Sequence, residues 1–149
     1  MLNNVGLYLG KRAHLNPNVE AIVDVATDRR FTFREVDDRA NSIANAMLEK
    51  GIKKGDRVAI LMMNGVEFFE CFMGLSKIGA VLVPLNWRLV ADELTYVLKD
   101  AGAIALFYGE DFGDVVAEIH GRGKDTDISY WIENSQVGMR QLFADDYGD

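Results

Sequence analysis

The sequence predicts an α/β fold in which a mostly parallel sheet is flanked by helices, with an N-terminal β-hairpin beside it. The central observation is the stretch Gly55–Leu89, where an apolar run at 57–63, a helical pattern at 66–78 and a second apolar run at 80–84 follow one another. Both runs are continuously apolar, which is typical of strands that helices cover on both faces. A second observation is that the alternation continues to position 132, so parallel strands with crossover helices are predicted throughout.

Length and charge limit the class of protein. A chain of 149 residues suits one domain, which buries about 68–70% of its unfolded surface on folding. We expect a single α/β domain over residues 1–132, followed by an irregular acidic tail at 133–149, where the strand and helix patterns fade. The formal charge of −7, without a dense Lys/Arg cluster, makes nucleic acid or an anionic membrane surface an unfavourable partner.

The segment before the central stretch predicts two helices and a hairpin. Residues 2–15 form a short amphipathic pattern that ends at Asn16-Pro17. Residues 20–25 and 30–33 are predicted as the two hairpin strands. Thr32 and Glu35 have the spacing of a capping box, so a helix begins there and ends near Gly51. Its predicted inward face consists of Val36, Ala40, Ile43, Ala44 and Met47.

The central helix is predicted to be buried over most of its circumference. Asn64 is its candidate N-cap, with Glu67 three residues further on. The helix has only a thin polar stripe, formed by Glu67, Glu70 and Lys77. Its three phenylalanines could line a hydrophobic ligand pocket, but this spacing favours core packing for Phe68, Phe69 and Phe72.

The remainder of the pattern adds two helices and two strands. Residues 92–101 are predicted as a helix ended by Gly102, and residues 112–120 as a helix with Val115, Val116 and Ile119 inward. The sheet is therefore expected to contain four parallel members, near residues 57–63, 80–84, 103–108 and 127–132.

The sequence offers no complete catalytic or metal-binding group. Cys71 is the only cysteine, which excludes an intrachain disulfide, fits a reducing compartment and favours a small buried side chain over a nucleophile. His14 and His120 are isolated, so no metal site is predicted. The N-terminus lacks the pattern of a signal peptide, and no apolar run approaches the ~20 residues of a membrane span. We therefore expect a cytoplasmic protein without an integral membrane segment.

The common phosphate-binding and acyl-transfer motifs are absent. No G-x-G-x-x-G follows the run at 57–63, and neither Gly10-Lys11 nor Gly123-Lys124 is followed by Ser or Thr. No serine stands in G-x-S-x-G. The prediction is that no residue of this chain is catalytic.

Arg88 is the one candidate binding residue. It follows the predicted strand at 80–84, and ligands of α/β proteins usually lie at the carboxyl ends of the strands. Its guanidinium group suits a phosphate. On spacing alone, the alternative of a solvated or ion-paired loop residue is favoured.

Two motifs and their continuation carry a resemblance to a known family. Residues 31–36 (FTFREV) resemble the (L/F)-T-Y-x-E-L signature of adenylate-forming enzymes, and residues 75–86 (LSKIGAVLVPLN) resemble their L-K-x-G-A-x-x-V-P-L-N motif. The continuation N-W-R-L, followed by D-E-L at 92–94, is most similar to fatty acyl-CoA and aryl-CoA ligases. The resemblance runs from about Val5 to Ile132, and the order and spacing of the motifs make it specific.

This resemblance implies an enzyme that activates a carboxylate with ATP, releases pyrophosphate, and transfers the acyl group from the adenylate to coenzyme A. ATP, Mg and coenzyme A would serve the full-length enzyme, whose phosphate loop and catalytic-lysine domain would follow position 149, as would most of the pocket for the carboxylic acid substrate. In some CoA ligases the arginine of N-x-R-L lies near the CoA nucleotide phosphates, and Arg88 matches that position.

We therefore expect the N-terminal segment of an AMP-forming acyl-CoA ligase, as a truncated form, a proteolytic remnant or a split gene product. It is expected to be inactive alone, to bind no cofactor as a fragment, and to have the rest of the ligase or a second copy as its partner. The alternative is a non-catalytic interaction or dimerisation module derived from such a ligase. A nucleotide-binding domain of another kind is disfavoured by the missing phosphate loop.

Overall fold

The computed structural model describes residues 4–135 and 138–142. The helices are α1 (Gly6–Leu15), α2 (Phe33–Glu49), α3 (Val66–Lys77), α4 (Ala91–Ala101) and α5 (Gly113–Gly121). The strands are β1 (Glu20–Asp24), β2 (Arg29–Thr32), β3 (Arg57–Leu61), β4 (Val81–Pro84), β5 (Ala105–Gly109), β6 (Tyr130–Ser135) and β7 (Gly138–Leu142). Single 3-10 turns lie at Glu110–Phe112 and Gly123–Asp125.

The contacts between residues group the chain into two compact units. The helical unit comprises the described residues up to Asp56 together with Asn64–Val81, and the sheet unit comprises Arg57–Met63 and the described residues from Leu82 onward. The expectation of a single domain over residues 1–132 stays a prediction.

The hairpin of the helical unit is antiparallel, as predicted. Asp24 pairs with Arg29 next to the turn, and the register shifts between Glu20 and Ile22. Asp28 occupies the turn with φ 55°, a conformation that aspartate tolerates better than most residues.

Helix α2 begins with the predicted capping box. The Thr32 hydroxyl accepts a hydrogen bond from the Glu35 amide, and the Glu35 carboxylate accepts one from the Thr32 amide, each at 3.2 Å. Two free amides of the first turn are thereby satisfied. The buried face is the predicted one, formed by Val36, Ala40, Ile43, Ala44 and Met47.

Helix α3 differs from the prediction at its start. Its N-cap is Gly65, in extended backbone, and no side chain caps it, so the prediction of Asn64 as N-cap was wrong. Asn64 lies one residue too early for its side chain to reach the first free amides. Glu67 instead accepts a hydrogen bond from Arg29 at 3.0 Å.

The burial of side chains around α3 also differs from the prediction. Phe69 and Phe72 are exposed, so the assignment to core packing was wrong for these two side chains. Glu70 is only 4% exposed, although it was expected in the polar stripe. An ion pair with Arg39 of α2 allows this burial.

The sheet unit carries a five-stranded sheet with the order β4-β3-β5-β6-β7. β3 with β5 and β5 with β6 are parallel. β4 pairs with β3 in one constant register. The Val81 amide donates to the Asp56 carbonyl at 2.7 Å, and four residues further along both strands the Leu85 amide donates to the Ile60 carbonyl at 2.9 Å. This pairing makes β4 parallel as well, so the predicted four-membered parallel sheet is confirmed.

Strands β3 and β4 differ in burial. Val58 to Leu61 of β3 are fully buried, as the continuous apolar run predicts. β4 was predicted to be covered on both faces, and this was wrong: Val81 and Pro84 are exposed and the residues between them are partly buried. The physical reason is the strand order, which places β4 at the edge of the sheet.

The chain after Ile132 differs from the predicted irregular tail. β6 continues to Ser135, and β7 pairs with it antiparallel, with Trp131 opposite Leu142 and Ser135 opposite Gly138. Backbone pairing can hold such a strand without a continuous apolar pattern. The parts of the predicted tail at 136–137 and 143–149 lie outside the described residues.

The core of the sheet unit joins α4, α5 and the central strands. Gly102 ends α4 as predicted, in the left-handed conformation with φ 66°. The His120 and Trp131 rings pack edge to face, with centroids 5.1 Å apart and planes at 80°. The fully buried side chains of this core include Leu61, Leu94, Leu98, Leu106, Val116 and Ile119. In the described part of the chain, no helix has the length and apolar character needed to cross a bilayer.

Candidate functional site

The candidate site is the turn that follows β4, at the carboxyl edge of the parallel strands. In parallel sheets this edge is where connecting loops can hold a ligand. The turn consists of residues 86–89, which we call the Arg88 turn. Its ends are anchored because Leu85 is buried and Leu89 packs against the core of the sheet unit.

Asn86 sets the conformation of the Arg88 turn. Its side-chain oxygen accepts a hydrogen bond from the Arg88 amide at 3.0 Å, and its carbonyl accepts one from the Leu89 amide at 3.1 Å. An asparagine that bonds the backbone two residues ahead forms an Asx turn. Trp87 and Arg88 occupy the two central positions, and both are exposed, Trp87 by 40%.

The side chains of Trp87 and Arg88 contact each other. The guanidinium carbon of Arg88 lies 5.0 Å from the centroid of the Trp87 ring, within the range of a cation–π interaction. This contact restricts the guanidinium to one side of the turn. Among the described residues, no carboxylate forms an ion pair with Arg88.

The two carboxylates that follow the turn in sequence, Asp92 and Glu93, already have partners within the chain. Glu93 accepts a hydrogen bond from the Val90 amide at 3.1 Å and so caps the start of α4. Asp92 forms an ion pair with Arg122. Arg88 therefore keeps its positive charge available to an anion from outside the described chain.

Other chemical groups are less suited to a site. Within the described residues, no group of three or more His, Cys, Asp or Glu side chains could hold a metal ion. Cys71 is fully buried in α3. Burial raises the pKa of its thiol well above the ordinary value, and the charges of Glu70 and Glu67 raise it further. Its thiolate is therefore not populated near neutral pH.

Trp87 was not predicted from the sequence as part of the site. Its sequence signal is an aromatic residue directly before an arginine in a segment that follows a strand. Only the structure shows that both side chains point outward and contact each other.

Comparison with known proteins assigns the family. The sequence model described as AMP-binding enzyme matches residues 9–146, which is most of the chain and includes the Arg88 turn. The chain belongs to the AMP-binding enzyme family. The predicted resemblance to adenylate-forming enzymes is therefore confirmed.

Among curated members of the AMP-binding family, the long-chain-fatty-acid–CoA ligase FadD13 of Mycobacterium tuberculosis is 40% identical over 140 residues. That match covers 93% of this chain and 28% of the relative. The putative acyl–CoA ligase YdaB of Bacillus subtilis is 42% identical over 107 residues, covering 71% of this chain and 21% of the relative. The chain thus spans less than a third of the length of these relatives.

Solved structures of the family share the fold. The N-terminal domain of FACL13 from Mycobacterium tuberculosis superposes with a TM-score of 0.84 at 38% identity, covering 89% of this chain and 34% of that one. The anthranilate–CoA ligase AuaEII with bound anthranoyl-AMP superposes with a TM-score of 0.80 at 26% identity, covering 97% of this chain and 27% of that one. The predicted fold class is confirmed.

Proposed function

We propose that the chain is the N-terminal segment of an ATP-dependent carboxylate–CoA ligase and is inactive alone. The supporting observation is the 40% identity to a long-chain-fatty-acid–CoA ligase over 93% of this chain but 28% of the relative. In this proposal the complete enzyme joins a carboxylate to AMP with release of pyrophosphate. It then transfers the acyl group to the thiol of coenzyme A. ATP, Mg and the carboxylic acid are bound by the complete enzyme, and this chain contributes a folded support and the Arg88 turn.

The role proposed for Arg88 is to bind a nucleotide phosphate of coenzyme A. Three features support it: the exposed guanidinium, its contact with the Trp87 ring, and the occupation of Asp92 and Glu93 by other partners. A guanidinium held against an aromatic ring loses less side-chain freedom when it binds, so a phosphate contact there is favoured.

We also propose the cytoplasm as the location, which cell fractionation tests.

Pyrophosphate exchange tests whether the chain acts alone. The purified 149-residue chain, with ATP, Mg and a long-chain fatty acid, is expected to exchange labelled pyrophosphate at the background rate. Exchange well above that background would reject the claim that it is inactive alone.

A fusion tests the ligase role and the role of Arg88 separately. The chain is joined to the part of the mycobacterial FadD13 that follows the matched segment, and acyl-CoA formation is measured. The fusion is expected to be active, and Arg88→Gln is expected to raise KM for coenzyme A about ten-fold with KM for ATP unchanged, since a charged hydrogen bond is lost. Lys124→Gln, at another exposed basic residue, is the control. A folded but inactive fusion would contradict the ligase role, and an unchanged KM would contradict only the role of Arg88.

One observation favours the second candidate, an interaction or dimerisation module. The helical unit exposes the apolar side chains of Phe69, Phe72 and Val81. Large exposed apolar side chains often mark surfaces that another protein covers. Light scattering distinguishes the two candidates in part, because a monomer over a wide concentration range would contradict self-association.

A further inference from the structure

We propose that Asn64 is a site of spontaneous deamidation, a covalent modification that replaces its side-chain amide by a carboxylate. Asn64 is followed by Gly65, and this is the only asparagine–glycine step in the sequence. The proposal is independent of the proposed ligase role, because it rests only on the chemistry and surroundings of these two residues.

The reaction takes place within the chain and needs only water as a co-reactant. The backbone nitrogen of Gly65 attacks Cγ of Asn64, the bond from Cγ to the side-chain nitrogen breaks, and that nitrogen leaves as ammonia with the proton of the Gly65 amide. The resulting five-membered succinimide is opened by water at either carbonyl, which gives aspartate or isoaspartate at position 64. Glycine favours the attack because no Cβ stands beside the attacking nitrogen.

The structure exposes both residues in the bend between β3 and α3. The bend is anchored on either side, since Met62 is 6% exposed and Val66 is 1% exposed. Water therefore reaches Asn64 and Gly65 while the flanking residues remain in the core. Folding does not remove the site from solvent.

The two reacting groups are not held by hydrogen bonds. As an N-cap, the Asn64 side chain would have been bound to the first turn of α3, but the N-cap is Gly65 and no side chain caps the helix. Within residues 4–135 and 138–142, neither the Asn64 side chain nor the Gly65 amide forms a hydrogen bond. The attack on Asn64 therefore breaks no hydrogen bond within this part of the chain.

The start of α3 favours the negative charge that develops when the Gly65 amide loses its proton. The uncapped amides of the first turn and the helix dipole make this end of the helix positive. Glu67 brings a carboxylate close, since its Oε2 would lie 3.4 Å from a Cβ added to Gly65. Its charge is balanced by Arg29, whose Nη1 donates a hydrogen bond to Oε1 of Glu67 at 3.0 Å.

Asn41 is a protected asparagine in the same chain. It also precedes a small residue, Ser42, but both lie inside α2, where helical hydrogen bonds engage the backbone amides. The side-chain nitrogen of Asn41 donates to Asp37 at 3.4 Å, and its side-chain oxygen accepts from Lys77 at 2.6 Å. Asn41 is therefore expected to stay unmodified while the chain is folded.

Peptide mapping by mass spectrometry tests the proposal with the full chain. After incubation at mildly alkaline pH, the peptide that contains Asn64 is expected to gain about 1 Da, the difference between an amide and a carboxyl group. Because folding does not protect the site, the rate is expected to lie within about three-fold of that in concentrated guanidinium chloride. The peptide that contains Asn41 is expected to gain this mass only in guanidinium chloride.

Two glycine variants separate the proposed route from other causes. Gly65→Ala is expected to slow the mass gain at least about ten-fold, because the added methyl group hinders the attack. The variant fits the fold, since the backbone of Gly65 is extended and the one atom close to the added Cβ belongs to the Glu67 side chain. Gly113→Ala, with no atom within 4 Å of its added Cβ, is expected to leave the rate unchanged.

Asn64→Asp provides the mass and retention standard for the product, and circular dichroism checks that each variant is folded. A folded chain that gains no mass at Asn64, or gains it as slowly as at Asn41, overturns the proposal. Equal rates in the wild type and Gly65→Ala also overturn it, because the attack by the Gly65 nitrogen would then not be the route.

Discussion

Arg39 of α2 donates two hydrogen bonds to Glu70 of α3, from Nε to Oε2 at 2.6 Å and from Nη2 to Oε1 at 2.7 Å. The Glu70 side chain is 5% exposed and that of Arg39 is 43% exposed. The hydrogen bond to Glu70 raises the pKa of Arg39, against the opposing effect of burial. The guanidinium therefore stays charged and balances the buried carboxylate between the two helices.

Arg39→Ala is expected to destabilise the protein because it leaves the buried carboxylate of Glu70 without its partner. We expect the free energy of unfolding to fall by about 2–4 kcal/mol, below the full cost of breaking a buried pair because Arg39 is partly solvated. Urea unfolding measures the loss. Arg30→Ala is the control, since the exposed Arg30–Glu20 pair is expected to contribute about 1 kcal/mol or less. Equal losses in the two variants would contradict the interpretation.

The structure predicts a lowered pKa for the Asp24 carboxylate of the hairpin. A hydrogen bond from Arg29 lowers the pKa of Asp24 below the ordinary 3.8, and a hydrogen bond with Thr27 lowers it further. Arg29→Gln is expected to raise this pKa toward the ordinary value, as measured by an NMR titration of the carboxyl carbon. Arg30→Gln, at the neighbouring position, is expected to leave it unchanged.

The same contact gives a pH dependence with a definite sign. Because the pKa of Asp24 is lower in the folded than in the unfolded chain, its contribution to stability is complete above about pH 4. The contribution is lost as the pH falls through the folded pKa. The stability difference between the wild type and Arg29→Gln should therefore shrink in that acidic range. A difference that grows on acidification would contradict this.

Gly74 of α3 packs closely against α2. A Cβ added there would lie 2.7 Å from the Ala40 carbonyl oxygen and 3.0 Å from two atoms of Ile43. Gly74→Ala is expected to lower the free energy of unfolding by about 1–3 kcal/mol, since the backbone of α2 has to move.

A matched glycine controls for the change in helix propensity. Gly113, at the start of α5, has no atom within 4 Å of an added Cβ. Gly113→Ala is expected to be neutral or to stabilise by up to about 1 kcal/mol. A similar loss in both variants, measured by urea unfolding, would remove the argument from close packing.

Cys71 provides a probe of how often α3 opens. Its thiol is buried and its pKa is raised, so a thiol reagent at mildly alkaline pH is expected to label the folded chain far more slowly than the chain in concentrated guanidinium chloride. Gly74→Ala is expected to speed labelling, whereas Gly113→Ala is not. Equal labelling rates in folded and unfolded chains would contradict the burial of this side chain.

Local patterns in the sequence determined much of this molecule. Thr32 and Glu35 are three residues apart, so their capping box and the buried face of α2 could be predicted without tertiary information. The apolar runs of β3 and β5 and the glycine that ends α4 are equally local signals. The motifs at 31–36 and 75–86 also identified the family that the comparisons assign.

Tertiary structure alone decided which side chains those elements bury. Glu70 became an internal residue because Arg39, 31 positions earlier, faces it across two helices. β4 became an exposed edge because of the strand order, although its sequence is as apolar as that of β3. The outward row of Leu7, Tyr8 and Leu15 likewise depends on which side of α1 the core occupies. Each outcome depends on how residues distant in sequence come together, and periodicity within one element cannot specify those partners.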